Sequence, residues 1–146
     1  MASILVIDDD RAVLATIKVL LERAAHTVEA VDNSRDGLQL VASRSFDLLI
    51  VDIFMPGMDG FETMRLVHQS RPDMPVIVIS GQQFSFVSDR LPDFLHMATR
   101  LGAVSSLQKP FRPAQLLAAV DSNLSGSQLP PNLNRKMPAG IPSERQ

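Results

Sequence analysis

The chain has 146 residues, 45% hydrophobic, 21% charged and 5% aromatic, a composition that suits one soluble globular unit and excludes collagen-like, coiled-coil and strongly disordered classes. A net charge of −2 gives no global electrostatic reason to bind nucleic acid or an anionic membrane. With no cysteine there is no disulfide framework, thiol nucleophile or thiolate metal site, so any chemistry rests on oxygen and nitrogen groups.

Met1-Ala2-Ser3 leads straight into an apolar block with aspartates behind it, the pattern of neither a signal peptide nor a membrane span, and residence in the cytoplasm is the expectation. Ile4 to Ile7 is the first of three continuous aliphatic blocks; Leu48 to Val51 and Val76 to Ile79 are the others, and each reads as a strand buried on both faces. Behind the first block, Val13, Leu14, Ile17, Leu20 and Ala24 recur at helical spacing. Thr27 to Val31 follows as a mixed strand, and Ser34 is read as the N-cap of a second helix running toward Ser43. After the Leu48 block, residues from Gly60 to about Ser70 form a third helix stopped by Pro72, and a fourth is expected from Pro92 to Gly102. Val104 to Leu107 is a second mixed strand, and Leu116, Leu117, Val120 and Leu124 mark the last helix.

Strands alternating with helices five times give a (βα)5 pattern, an α/β doubly wound parallel sheet with helices on both faces. The two mixed strands fit the sheet's edges and the aliphatic blocks its centre, which is the flavodoxin-like order 2-1-3-4-5. Beyond Leu124 the composition turns to Ser, Gly, Pro and Asn with four prolines after residue 129, so the expected division is a domain over 1–124 and a flexible tail over 125–146.

In that topology the ligand site forms at the carboxyl ends of the strands, where this chain places carboxylates. Asp8-Asp9-Asp10 follows the first strand and Asp52 the third. Like charges held together raise one another's pKa or recruit a cation, and an all-oxygen set suits Mg²⁺. Aspartate after a strand also caps helices, and Asp10 suits that role. Ser80 and Lys109 end the fourth and fifth strands and face the same crevice. Together these groups make sense around an aspartyl phosphate: Asp52 as nucleophile, Asp8 and Asp9 for the metal, the Ser80 hydroxyl and Lys109 ammonium for the phosphoryl oxygens.

ILVIDDD (Ile4–Asp10), DLLIVDIFMPGMDG (Asp47–Gly60), VIVISG (Val76–Gly81) and Lys109-Pro110-Phe111 resemble the receiver domain of two-component response regulators over about residues 3 to 124. The resemblance implies phosphorylation of Asp52 by a histidine kinase or histidine phosphotransfer protein, with Asp8, Asp9, Asp52 and the Phe54 main-chain carbonyl as Mg²⁺ ligands. Ser80 then matches the switch hydroxyl, and a cis peptide is expected at Lys109-Pro110. Catalysis would be limited to self-catalysed phosphorylation and dephosphorylation. Output would pass by contact to an unnamed protein target, with neither nucleic acid nor membrane as partner and with homodimerisation left open.

Two departures stand out. Ser106 occupies the place where the family often has an aromatic switch residue. The stretch from Ser80 to Lys109 is several residues longer than usual, and its 82–91 loop carries Phe84 and Phe86, which either cover the sheet's end or engage a partner. Phe54 and Gln82 flank the direction of water attack and push the phosphoryl lifetime in opposite senses. These departures keep open a phosphorylation-independent pseudo-receiver acting as a binding or dimerisation module. A nucleotide-binding flavodoxin-like enzyme is disfavoured because carboxylates stand where a phosphate cradle needs glycines and amides. An aspartyl-phosphate hydrolase usually has a second acid two residues past the nucleophile, where Phe54 stands.

Overall fold

Ser3–Ile7 forms β1, and its Val, Ile and Leu side chains point alternately into two apolar layers, so the strand is buried on both faces. It is the start of a computed structural model that describes residues 1–53, 60–80, 100 and 103–128. The remaining strands are β2 (Thr27–Val31), β3 (Leu48–Asp52), β4 (Val76–Ser80) and β5 (Ala103–Gln108). All pair in parallel in the order β2-β1-β3-β4-β5, with the two mixed strands at the edges as expected. In-register pairs such as Ile7↔Val51 and Asp52↔Ile79 align the strand ends that carry the aspartates. The β4–β5 ladder slips by one residue between Val76 and Ile77, so Ala103 pairs with Val76 and Ser105 with Ile77.

The described helices are α1 (Arg11–Arg23), α2 (Ser34–Ser43), α3 (Gly60–Ser70) and α4 (Pro113–Gln128). One face of the sheet, with Ile4, Val6, Leu48, Ile50, Ile77 and Ile79, packs on α1 and α4 through Leu14, Ile17, Leu21, Leu116 and Val120. The other face, with Leu5, Ile7, Leu49, Val51 and Val78, packs on α2 and α3 through Val41, Met64 and Val67. No described helix is long and apolar enough to cross a membrane.

Asp10 caps α1, its Oδ1 accepting the N–H groups of Ala12 at 3.0 Å and Val13 at 3.3 Å. α1 ends in a Schellman turn: His26 N–H donates to Leu21 O, Ala25 N–H donates to Glu22 O, and Ala25 sits at φ 72°. The N-cap of α2 is Asn33 rather than Ser34, because Asn33 Oδ1 accepts the Asp36 N–H at 2.8 Å while Ser34 is the first helical residue and turns inward. α4 continues to Gln128, past the change in composition at Leu124, since a formed helix adds a backbone hydrogen bond with each further residue. Apart from Arg100, which is helical, the helix expected over 92–102, the 82–91 loop with Phe84 and Phe86, and Phe54 lie outside the described residues.

Candidate functional site

The site is assembled from strand ends. β1 delivers Asp8 and Asp9, β3 ends on Asp52, β4 ends on Ser80, and Lys109 follows β5 directly. Asp8 is 0% exposed and Asp52 2%, whereas Asp9 is open to solvent. Carboxylate oxygens of these three residues lie within 4.8 Å of one another. Lys109 Nζ sits between two of them, 2.8 Å from Asp8 Oδ2 and 3.1 Å from Asp52 Oδ2. Ser80, also buried, is tied to the lysine through the main chain, its carbonyl accepting the Lys109 N–H at 2.8 Å. The Lys109–Pro110 peptide is cis.

Asp10, by contrast, is spent on the cap of α1, and its own N–H donates to Asp8 Oδ1 at 2.9 Å. Of the three consecutive aspartates, two are therefore left for the site. Burial raises the Asp8 pKa and the Asp52 charge adds to it, against the opposing pull of Lys109 and the Asp10 N–H. Asp9 is raised by partial burial and then by the charge of Asp8. Burial works to lower Lys109, but its bonds to Asp8 and the charge of Asp52 outweigh that, and the ammonium is held above its ordinary value.

Three carboxylates against one ammonium leave an excess of negative charge. Among the described residues, the fully buried Asp8 Oδ2 is partnered only by the Lys109 ammonium, an ion pair at 2.8 Å. A hard divalent cation fits this all-oxygen set, with Asp9 open to solvent on the approach side.

Gly60, the end of the Asp47–Gly60 motif and the start of the third helix, also shapes the site. Its N–H donates to Ile53 O at 3.2 Å, and a Cβ built there would fall 2.2 Å from Asp52 O, so α3 can begin this close to the aspartate only with glycine. Thr63 is a residue that sequence reasoning passed over: it is fully buried and its Oγ1 donates to Ser34 Oγ at 2.6 Å. A threonine in an amphipathic helix carries no signal of a partner on another helix. Ser106 lies on β5 beside Leu107, which packs inward, so Ser106 points to the other face, where it is exposed and borders a groove of about 420 Å³ with Gln108, Lys109, Pro110 and Phe111. His26 is occupied structurally, its Nδ1 accepting the Ala2 N–H.

A doubly wound parallel sheet with an acidic cluster and a lysine at its carboxyl edge agrees with what the sequence motifs imply. The chain belongs to the response regulator receiver domain family, whose model matches residues 4–121. It is 33% identical over 126 residues to the response regulator MprA of Mycobacterium ulcerans, covering 86% of this chain and 51% of that protein. It is 33% identical over 145 residues to the response regulator protein FleR of Pseudomonas aeruginosa, covering 99% of this chain and 29% of that protein. The chain thus spans about half the length of these curated relatives, or less. Among solved structures, a CheY-like receiver domain protein from Methanospirillum hungatei superposes with a TM-score of 0.78 at 29% identity, over 88% of this chain and 97% of that one. A receiver domain protein from Clostridium thermocellum gives 0.77 at 30% identity, over 88% and 98%.

Proposed function

We propose that Asp52 accepts a phosphoryl group from a histidine kinase or histidine phosphotransfer protein and that the change is relayed by protein–protein contact. The observation that carries this reading is the convergence of Asp8, Asp9 and Asp52 within 4.8 Å, with Lys109 Nζ bridging Asp8 and Asp52. In the reaction, an Asp52 carboxylate oxygen forms a bond to phosphorus as the bond from phosphorus to the donor's imidazole nitrogen breaks, and the electron pair leaves with the imidazole. Lys109 holds its charge against Asp52 before the reaction and is placed to meet the added negative charge afterwards. Ser80, at the end of the neighbouring strand, offers a hydroxyl to the same phosphoryl group.

Asp8, Asp9, Asp52 and the Phe54 main-chain carbonyl would hold Mg²⁺, which when bound neutralises phosphoryl charge. Ser80 acts as the switch hydroxyl, and Ser106, which has no ring to swing inward, leaves the change to be read through the surface around β5. The receiver unit occupies residues 1–124.

The test is incubation with a small acyl phosphate and Mg²⁺ followed by intact mass. One added phosphoryl group in the parent protein and none in Asp52→Asn is the expected result. A parent protein that stays unmodified would favour the phosphorylation-independent binding module.

A further inference from the structure

We infer that the buried Ser34–Thr63 hydroxyl pair is a brace that holds Asp8 and Asp52 at the separation a divalent cation requires, so that both hydroxyls are positioning residues for metal binding. The inference rests on the function proposed above.

The two helices that face each other across this pair carry matching stripes. α2 buries Ser34, Gly37 and Val41, and α3 buries Gly60, Thr63, Met64 and Val67. In each stripe the glycine brings the helix against the end of a strand that bears a site carboxylate. A Cβ at Gly37 would fall 2.3 Å from Ile7 Cδ1, on the residue before Asp8. A Cβ at Gly60 would fall 2.2 Å from the carbonyl oxygen of Asp52 itself. Each helix is therefore pressed onto one carboxylate-bearing end, and Thr63 Oγ1 to Ser34 Oγ, at 2.6 Å, joins the two helices.

The sheet holds each of these ends through its outer neighbour: Asp8 N–H donates to Val31 O at 3.2 Å, and Asp52 pairs with Ile79 on β4. Pairing of β1 with β3 stops at Ile7 and Val51, one residue short of both carboxylates. Across that last step between β1 and β3, the packing of α2 and α3 over the two ends adds a further tie between them. An apolar contact between α2 and α3 would tolerate sliding, whereas a short, buried hydroxyl–hydroxyl bond allows one register. Hydroxyls are also costly to bury compared with alanine and valine of similar shape, so core stability alone does not call for them here.

The experiment is an NMR titration of the full chain with MgCl2, for the parent, Ser34→Ala, Thr63→Val, the double variant and Thr63→Ser, alongside melting curves without metal. Each of Ser34→Ala and Thr63→Val is expected to raise the Mg²⁺ Kd by about three- to tenfold, the double variant by no more than either alone, and Thr63→Ser by less than about twofold. Melting temperatures should not follow that order. A Thr63→Val protein that binds Mg²⁺ as tightly as the parent overturns the brace while leaving phosphorylation of Asp52 standing. Additive losses in the double variant, or no rescue by Thr63→Ser, overturn it as well. A parent that binds no Mg²⁺ removes both this inference and the metal-dependent function.

Discussion

Asn33 does two jobs at the start of α2. Its Oδ1 caps the helix through the Asp36 N–H, and its Nδ2 donates to Asp32 Oδ1 at 2.9 Å. Asp32 is held below the ordinary carboxylate pKa first by that bond and then by Arg11. A depressed folded pKa means the stabilisation is present at neutral pH and lost as pH falls through the folded value, below 3.8. Asn33→Ala should cost about 1 kcal/mol in urea denaturation at pH 7 and move the Asp32 titration, followed by NMR, back toward 3.8. Ala25 offers the opposite case. At φ 72° it pays a steric cost that glycine avoids, so Ala25→Gly should stabilise the fold by roughly 0.5 to 1 kcal/mol in the same assay. From sequence, Ser34 is the expected cap; in the fold its hydroxyl meets Thr63, 29 residues away, and Asn33 caps the helix instead.

At the scale of elements, α3 is fixed by what its first residue lacks. Gly60→Ala would drive a methyl group into the Asp52 backbone, so α3 must back away or the end of β3 must move. The expected result is a loss of roughly 1 to 3 kcal/mol in denaturation and a much slower gain of mass from the small phosphodonor. An unaltered phosphorylation rate would show that the close approach does not shape the site. The elements themselves were largely readable: the aliphatic blocks 4–7, 48–51 and 76–79 became the three central strands because only residues buried on both faces need be apolar at every position. The edge strands betrayed themselves by Glu29, Ser105 and Ser106. What stayed hidden depends on approach distances rather than patterns: how closely the glycines at 37 and 60 bring their helices to the strands, and the one-residue slip of β5 beside Val76.

For the whole molecule, the acidic cluster sets fold stability against function. Asp8 has a raised folded pKa, so the folded chain binds its proton more tightly than the unfolded chain does, and stability falls as pH rises from 3.8 through the folded value. Without metal, the cost is present at pH values above the folded Asp8 titration. Asp8→Asn should therefore melt higher than the parent under those conditions, with the difference closing as pH falls through the Asp8 titration. Adding Mg²⁺ should raise the melting temperature of the parent and do less for Asp8→Asn. The convergence of Asp8, Asp9, Asp52 and Lys109 was readable because strand order alone brings these chain positions to one edge of the sheet. Their separations were not, since these depend on side-chain rotamers and helix placement.

The most direct measurement locates the phosphoryl group. Borohydride reduces an aspartyl phosphate to homoserine, which peptide mass mapping finds after phosphorylation with a small donor and Mg²⁺. Homoserine at position 52 alone is the predicted result. Homoserine at Asp8, Asp9 or any other aspartate, or full modification of an Asp52→Asn protein, would contradict the account.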